Sequence, residues 1–339
     1  MGPLDMRLEE VDLPMISDDE VLIRVVATGI CTTDIELYDG SMPYFNQGLS
    51  QRPMTAGHEW SGIIEKIGQS VTNVKQGDLV VGDISIGCGK CASCLKGQYH
   101  LCDKRTELGV IKYDGSFAEY LRTEAKNVYK VPTGVSAEEA ALVEPLATVL
   151  YAVRRTGINP GDNVVVFGDG PIGLLNAQLA NCCGAARVAV VARKEVHRKK
   201  IEGWGLHLVN NARGDAPQQI EKLFGCKADV VFEDTGNPQV FAAAIESVMP
   251  GGRVCALSIT GAKSIPVDMD YIATRDITVV GVLASPNSFV PALRMIAAGK
   301  VDVKGCISHR FPFAEAVQAF EFVRGSSGKD RIKVLVTGT

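Results

Sequence analysis

Residues 163–173 read NVVVFGDGPIG, and this stretch decides the fold of the chain around it. Its apolar first half predicts a buried strand, three glycines follow in the spacing G-x-G-x-x-G, and PIGLLNAQLANCCG predicts a helix. Such a turn can hold a pyrophosphate, because it exposes amide groups at the positive end of a helix; alternatively, the glycines only permit close packing. We predict a dinucleotide-binding turn made by Gly168, Gly170, Pro171, Ile172 and Gly173.

The sequence beyond this turn continues to alternate between strands and helices. RVAVVAR, ADVVFEDTG, RVCALSI and ITVVGVLAS are apolar runs, and helical segments separate them. Uninterrupted apolar runs are typical of parallel strands that are covered on both faces. We therefore predict an α/β fold in which residues 148–285 form a Rossmann domain with a doubly wound parallel sheet.

The N-terminal part of the chain predicts a different kind of sheet. Short Val/Ile runs such as EVLIRVVATGI and GDLVVGD are broken by Gly, Asp and Pro, which favours mostly antiparallel strands. SAEEAALVEPLATVLYAVRRTG predicts one helix that begins after Ser136 and ends at Gly157. The tail predicts a helix and a closing strand, KVLVTG, which we expect to return to the first part. The second predicted domain therefore comprises residues 1–147 and 286–339.

Length and composition narrow the class of protein. A chain of 339 residues exceeds one comfortable core, and a net charge of −4 argues against a nucleic acid or an anionic membrane as the main partner. We find no apolar run near the roughly 20 residues that span a bilayer and no apolar signal segment at the N-terminus. Ten cysteines in such a chain favour metal binding in a reducing compartment. We expect a cytoplasmic protein.

Four cysteines lie close together in the stretch GCGKCASCLKGQYHLC with the spacing C-x2-C-x2-C-x7-C. Thiolates this close can surround one zinc ion as a tetrahedron. Disulfide bonds are the alternative, but cysteines separated by two residues rarely reach the geometry of an S–S bond. A site with four protein ligands has no open position, so it organises a lobe (about residues 86–104) without chemistry. The predicted ligands of this structural zinc are Cys88, Cys91, Cys94 and Cys102.

A second set of metal-binding side chains is scattered along the chain. His58 and Glu59 lie in GHEWSG, Cys31 ends the strand EVLIRVVATGI, and Glu144 lies in the apolar segment ALVEPLATV. Taken alone, Cys31 is an ordinary buried thiol, and a buried Glu144 needs a partner. One cation bound by all four would account for them together. This would be a catalytic zinc, which needs an open position for substrate.

The chain resembles the zinc-dependent medium-chain dehydrogenase/reductase family over nearly its full length. The motifs that carry the resemblance are GICTTD at 29–34, GHEWSG at 57–62, the cysteine lobe, GDGPIG at 168–173 and SHRFPF at 308–313. Glu144-Pro145-Leu146 stands where alcohol dehydrogenases carry a cysteine ligand, which is similar to the polyol and threonine dehydrogenase branch. The resemblance implies a GroES-like, mostly-β catalytic domain beside the Rossmann domain, and a homodimer or homotetramer.

The resemblance also implies roles for individual residues. Cys31 and His58 would bind the catalytic zinc, with either Glu59 or Glu144 as the third protein ligand. Asp34 would orient His58 or, alternatively, cap the turn that follows it.

Three more residues match positions with a role in the family. Thr33 matches the hydroxyl residue that relays the substrate proton, and Glu36 stands where the next relay residue is usually histidine. A carboxylate has a lower reference pKa than imidazole, so Glu36 would accept the proton differently. Arg310 resembles the arginine that approaches the cofactor pyrophosphate, or else it is a surface strand residue.

The remaining aromatic residues and histidines have no assigned role in the chemistry. We expect Tyr38, Phe45 and Trp60 to line the substrate cleft or to pack in the interior. We expect the other histidines to be structural, namely His100, His197, His207 and His309.

The residues after the second Rossmann strand bear on the choice of cofactor. An acid that accepts hydrogen bonds from the adenosine ribose usually ends this strand, but Ala192 stands there. Arg193 follows and can grip a 2′-phosphate with two hydrogen bonds, and we count Lys194 and Arg198 with it. Alternatively, these cations form a solvated helix face. We predict that NADP(H) is preferred over NAD(H).

Together these features predict an oxidoreductase. It would transfer a hydride between NADP(H) and a secondary alcohol or ketone of a polyol, cyclitol or sugar derivative. One alternative is an NAD-dependent threonine or amino-alcohol dehydrogenase. Another, from a different class, is a zinc-stabilised nucleotide-binding protein without catalysis.

Overall fold

The computed structural model describes residues 2–193, 195–262, 264–325 and 330–338. The strands are β1 (Glu20–Gly29), β2 (Glu59–Ile67), β3 (Leu79–Gly82), β4 (Ser85–Ile86), β5 (Thr106–Leu108), β6 (Lys112–Tyr113), β7 (Tyr120–Glu124), β8 (Val128–Lys130), β9 (Asn163–Phe167), β10 (Arg187–Ala192), β11 (His207–Asn210), β12 (Ala228–Glu233), β13 (Val248–Ala256), β14 (Thr278–Gly281), β15 (Ile307–Pro312) and β16 (Lys333–Thr337).

The helices lie between these strands. They are α1 (Thr32–Asp39), α2 (Ala92–Leu95), α3 (Ala137–Ala141), α4 (Val143–Thr156), α5 (Pro171–Cys182), α6 (Arg198–Gly203), α7 (Ala216–Phe224), α8 (Pro238–Ser247), α9 (Met269–Ala273), α10 (Phe289–Ala297) and α11 (Ala316–Gly325). No helix in the described part of the chain is long and apolar enough to cross a lipid bilayer.

A mostly antiparallel sheet brings the two ends of the chain together. Its strand order is β15-β16-β1-β2-β3-β8, with β7 paired to β1. The C-terminal strand β16 pairs with β1, so that Ala27 lies opposite Thr337. β4, β5 and β6 form a small sheet beside it. The strand predicted at the end of the sequence therefore does return to the N-terminal sheet.

The second large sheet is parallel and has the order β11-β10-β9-β12-β13-β14. Val164, Val165 and Val166 in its centre are fully buried, because helices cover both faces. Gly168 turns the chain from β9 towards α5 with a φ of 126°, which few residues other than glycine adopt. A Cβ on Gly173 would collide with the carbonyl oxygen of Gly168, so this close turn needs glycine there. The predicted α/β fold, with a Rossmann sheet beside a mostly-β part, is confirmed.

The segment between the two sheets differs from the predicted single helix. It forms α3 and α4, which break at Leu142. Ser136 caps α3, since its hydroxyl accepts the amide of Glu139 while the Glu139 carboxylate accepts the amide of Ser136. α4 runs across the predicted domain boundary at residue 147 and packs against both α5 and α10.

Candidate active site

The four cysteines of the predicted structural site converge around α2. Their sulfur atoms all lie within 4.8 Å of one another. The Sγ atoms of Cys88 and Cys94 are 4.0 Å apart, close to the edge of about 3.8 Å that a tetrahedron with zinc–sulfur bonds of about 2.3 Å requires. The amide of Cys88 donates to Cys102 Sγ at 3.5 Å, and that of Cys94 donates to Cys91 Sγ at 3.5 Å. The donor set and its spacing fit zinc.

The pKa values of two thiols in this lobe are shifted in opposite directions. Backbone hydrogen bonds, that from Lys90 first, lower the pKa of Cys88 to about 6. Burial, together with hydrogen bonds to the other sulfurs, raises the pKa of Cys94 to about 11. Four neighbouring thiolates repel one another, so a divalent cation is what would allow all of them to ionise.

A second group of possible metal ligands forms where β1 ends and β2 begins. Cys31 directly precedes α1, His58 precedes β2, and Glu59 is the first residue of β2. Their ligand atoms lie within 4.8 Å of one another. His58 and Glu59 are almost fully buried. Three ligands in this mixture of sulfur, nitrogen and oxygen fit a zinc ion that keeps one position open.

Asp34 contacts both sides of this group. Its carboxylate accepts the amide of Cys31 at 2.8 Å and the amide of Gly57 at 3.2 Å. Its Oδ1 also lies 3.3 Å from His58 Nδ1, which has no hydrogen-bond partner among the described residues. Burial lowers the pKa of His58, but Asp34 and Cys31 together outweigh burial and raise this pKa well above its ordinary value. Asp34 thus caps the start of α1 through the preceding residue Cys31 and faces the imidazole of His58, whose orientation by Asp34 stays a prediction.

The fourth predicted ligand, Glu144, lies outside this group of three. It is in the first turn of α4, is 9% exposed, and accepts the hydroxyl of Thr148 at 3.3 Å. Burial raises its pKa to about 7, and the nearby Glu59 acts in the same direction. Glu144 is therefore a second buried carboxyl that responds to the charge of the metal group.

Lys333 lies at this site, and sequence reasoning missed it. It begins β16, is 2% exposed, and donates to both carboxylate oxygens of Glu59 at 2.7 and 2.6 Å and to the carbonyl of Ile30 at 3.3 Å. Burial lowers the pKa of Lys333, but Glu59, Cys31 and Asp34 together outweigh burial and raise it. A lysine in the otherwise apolar strand KVLVT was the available signal, because a buried cation needs an anion.

The proposed proton relay lies on α1. Thr33 and Glu36 are both half-buried, and burial raises the pKa of Glu36.

All three aromatic residues considered for the cleft have partners elsewhere in the structure. Trp60 is buried in the core of the mostly antiparallel sheet. The Tyr38 hydroxyl donates to Glu321 at 2.6 Å, and its ring packs edge-on against Phe320. The ring of Phe45 lies under the guanidinium of Arg52.

The glycine turn between β9 and α5, predicted to bind phosphate, has the conformation that its sequence predicts. Gly170 caps α5 and Pro171 is its first residue. A Cβ on Gly170 would meet no atom within 4 Å among the described residues, so the space in front of the helix is open. Ile172 packs against the core, and Gly173 lies against Gly168. An open cradle of amides at a helix N-terminus fits a dinucleotide pyrophosphate.

The cations expected to contact the cofactor differ in their surroundings. Arg193 is exposed directly after β10, and Lys194 lies outside the described residues. Arg198 forms ion pairs with Glu195, which precedes α6, and with Glu202 on α6.

Arg310 lies on β15, and its guanidinium makes two hydrogen bonds to Glu138, at 2.7 and 2.8 Å. Its side chain is 43% exposed. This residue would have to leave Glu138 in order to reach a pyrophosphate.

Two family models match the two parts of the chain. The alcohol dehydrogenase GroES-like domain matches residues 17–133, and the zinc-binding dehydrogenase model matches residues 171–298. The chain belongs to the zinc-dependent medium-chain alcohol dehydrogenase family. It is therefore an enzyme, a zinc-binding dehydrogenase of alcohols that uses NAD or NADP, and it falls in the polyol and threonine branch.

Individual relatives place the chain within this family. Human sorbitol dehydrogenase is 33% identical over 98% of this chain and 94% of its own length. L-Threonine 3-dehydrogenase of Bacillus licheniformis is 34% identical over 95% of this chain and 93% of its own. A zinc-binding dehydrogenase of Sinorhizobium meliloti, solved bound to NADP, is 31% identical with a TM-score of 0.88, and the match covers 96% of this chain and 94% of that one.

Replacement of Lys333 should show how strongly Glu59 depends on it. Lys333→Met leaves a carboxylate buried without its cation, so we expect the metal-free protein to lose about 3–5 kcal/mol of unfolding free energy. Added zinc should restore part of this loss, because the metal supplies the missing positive charge. Urea unfolding of the variant with zinc and with a chelator measures both effects.

The matched control is Lys130→Met, which removes an ion pair of 2.6 Å with Asp78 from a lysine that is 57% exposed. We expect this variant to lose less than about 1 kcal/mol. Equal losses of unfolding free energy in the two variants would show that the buried pair stabilises the fold no more than the exposed one.

Asp234 supports the phosphate-binding turn from the end of β12. Its amide donates to Phe167 O at 3.0 Å, and its Oδ2 accepts the side-chain amide of Asn176 on α5 at 2.9 Å. Its Oδ1 is buried without a hydrogen-bond partner among the described residues. Burial of this carboxyl, aided by Glu233, raises its pKa from 3.8 to about 7.

The raised pKa of Asp234 predicts a dependence of stability on pH. The folded carboxyl keeps its proton up to about pH 7, whereas the unfolded chain loses it near pH 3.8, so folding takes up a proton between these values. The Asp234 contribution to stability should therefore fall as pH rises through this window. We expect Asp234→Asn, which resembles the protonated acid, to be more stable than the parent at pH 8 by on the order of 2–4 kcal/mol.

Thermal and urea unfolding at pH 5 and pH 8 test this expectation. At pH 5 the advantage of the variant should be smaller than at pH 8, because the unfolded parent has then lost its proton but the parent has passed through only part of the window between pH 3.8 and about 7. Asp12→Asn, which removes an exposed carboxyl, should show no such change between the two pH values. A constant difference between Asp234→Asn and the parent at both pH values would contradict the prediction.

Proposed function

We propose that this enzyme interconverts a secondary alcohol and a ketone on a polyol, cyclitol or sugar derivative and prefers NADP(H). The observation that carries the proposal is the convergence of Cys31, His58 and Glu59 within 4.8 Å. We also propose one catalytic and one structural zinc, a homodimer or homotetramer, and a cytoplasmic location.

The metal group would be completed by one of two carboxylates. Glu59 is the closer one and is held by Lys333, whereas Glu144 stands outside the group of three. We propose Glu59 as the third ligand and Glu144 as the carboxylate that replaces it when Glu59 returns to Lys333. When bound, zinc would act as a Lewis acid on the substrate oxygen, while the nicotinamide exchanges the hydride.

The proton of the substrate hydroxyl would leave through α1. Thr33 would accept it and pass it towards the cofactor ribose, and Glu36 would take it next. A carboxyl whose pKa is raised by burial holds a proton at a higher pH than an exposed one. This shift would bring Glu36 closer to the range in which the usual histidine works.

The preference for NADP(H) would come from Arg193. It is exposed where the ribose-binding acid of an NAD site would be, and an arginine can bind a phosphate with two parallel hydrogen bonds. A relative solved with NADP supports this choice.

The substrate class rests on the relatives. Human sorbitol dehydrogenase supports a polyol, and the similarity to an L-threonine 3-dehydrogenase favours an amino alcohol as a second candidate.

Initial rates test the substrate and the cofactor together. We expect the zinc-loaded protein to oxidise NADPH with polyhydroxy ketones in a panel of ketoses, cyclitol ketones, sugar phosphates and 2-amino-3-ketobutyrate. Cys31→Ser and His58→Ala should lower this rate by a factor of about 100 or more while cofactor binding is retained, since the metal stabilises charge in the transition state. Turnover of 2-amino-3-ketobutyrate alone would favour the second candidate.

The matched control for Cys31→Ser is Cys182→Ser, which changes an exposed thiol at the end of α5. It should leave turnover near the parent value. Appreciable activity in Cys31→Ser would mean that the catalytic metal is bound elsewhere.

Arg193→Ala tests the cofactor preference. We expect NADPH binding to weaken by about 1–3 kcal/mol, because a charge-assisted phosphate contact is lost, and NADH binding to change little. Fluorescence titration with each cofactor gives the two dissociation constants. Lys199→Ala, which removes an exposed cation from the next helix, is the control, and equal losses for both cofactors in Arg193→Ala would oppose a phosphate contact.

A further inference from the structure

An acid stands inside the phosphate-binding turn. Asp169 lies between Gly168 and Gly170, where the negative phosphates of a dinucleotide would approach. Its Oδ2 lies 3.0 Å from Nδ1 of His197. The Asp169 side chain is 29% exposed, so its carboxylate is accessible from the open side of the turn.

His197 is built to hold this carboxylate. Its side chain is 8% exposed, and its other ring nitrogen, Nε2, is buried without a hydrogen-bond partner among the described residues. A buried ring nitrogen without a hydrogen bond lowers the stability of the fold, so its presence needs an explanation. The polar contact described for this ring is the one to Asp169, which fixes the direction in which the carboxylate points.

The pair spans the place where the adenosine ribose lies in a Rossmann site. The amide of Gly168 donates to Val191 O at 2.9 Å, so the phosphate-binding turn starts beside the end of β10. His197 directly precedes α6, on the far side of the segment that follows β10. The ribose of a dinucleotide sits between these two segments, where an acid at the end of the second strand accepts its hydroxyl groups.

In this chain that strand-end acid is missing, because Ala192 occupies its place. Asp169, in the turn that starts beside the end of β10, carries a carboxylate that is 29% exposed. His197 engages Oδ2, and a carboxylate has lone pairs enough to accept further hydrogen bonds. A negative charge there would accept ribose hydroxyls but repel a 2′-phosphate.

We propose that Asp169, oriented by His197, supplies the ribose-hydroxyl acceptor that the end of β10 lacks and thereby limits the preference for NADP(H) that Arg193 confers. The inference rests on the proposed use of both cofactors at this site. It makes Asp169 a residue that determines specificity and His197 a positioning residue. The enzyme would then bind NADH with appreciable affinity, although Arg193 favours NADPH.

The test compares the dissociation constants of NADH and NADPH by fluorescence titration of the zinc-loaded protein. Asp169→Asn should weaken NADH binding about tenfold, because a charge-assisted hydrogen bond is lost, and should leave NADPH binding equal or tighter. The ratio of the two constants is decisive, since a merely structural loss in the turn would weaken both cofactors alike. Equal losses, or a change in NADH binding of less than about twofold, would overturn the proposal.

If Asp169→Asn does not fold, variants of His197 test the proposal independently. His197→Leu removes the donor and should shift the ratio in the same direction by a smaller factor. His197→Asn places an amide donor near the position of Nδ1 and should bring the ratio back towards the parent value. Identical ratios for the parent, His197→Leu and His197→Asn would overturn the positioning role.

Arg193→Ala separates this inference from the proposed cofactor preference. If that variant leaves NADPH binding unchanged while Asp169→Asn weakens NADH binding, the acceptor role of Asp169 stands and the Arg193 contact fails. If Arg193→Ala weakens NADPH binding and Asp169→Asn changes neither cofactor, the preference stands and the role of Asp169 is refuted.

Discussion

The ion pair between Lys333 and Glu59 is the constraint on which the rest of this site depends. Two charges that are 2% and 1% exposed cannot be separated without a large desolvation penalty, so they must remain together or find new partners. Lys333 begins the last strand, Glu59 begins β2, and β1 pairs with both strands. Gly29 on β1 leaves room for the pair, since a Cβ there would collide with the Glu59 carboxylate. The C-terminal strand thus contacts the possible metal ligands through Lys333 and Glu59.

This pair also explains why the site contains more than one buried carboxyl. A zinc ion bound by Glu59, as proposed, would compete with Lys333 for the same oxygens, and each exchange would leave a charge that needs compensation. Glu144 lies near enough to Glu59 and His58 for their charges to shift its pKa. With its pKa raised to about 7, it can hold a proton or carry a charge near neutral pH. A site with one buried cation and two carboxyls would then keep its total charge steady if the metal exchanged Glu59 for Glu144, as proposed.

Local patterns in the sequence predicted the parts of the site that are made locally. The cysteine lobe and the glycine turn follow from spacings within a few residues, and both form as expected. The contact between Lys333 and Glu59 joins residues 274 positions apart, and no local pattern records such a pairing. The break at Leu142 was missed because its apolar neighbours continue a helical pattern, and the pairing of His197 with Asp169 depends on how α6 packs beside the turn.

The cysteine lobe acts on the fold through the segment that leads into α10. The Tyr99 hydroxyl accepts the amide of Asn287 at 2.8 Å, and the Asn287 side chain donates to Gly97 O at 3.0 Å. Tyr99 also donates to the buried Asp83 at 2.5 Å, so the same ring anchors the lobe to the antiparallel sheet. Asn287 has a φ of 57°, which is strained for most residues, and its two contacts with the lobe offset that strain. A metal bound by the four sulfurs would therefore also order the connection between the parallel sheet and α10.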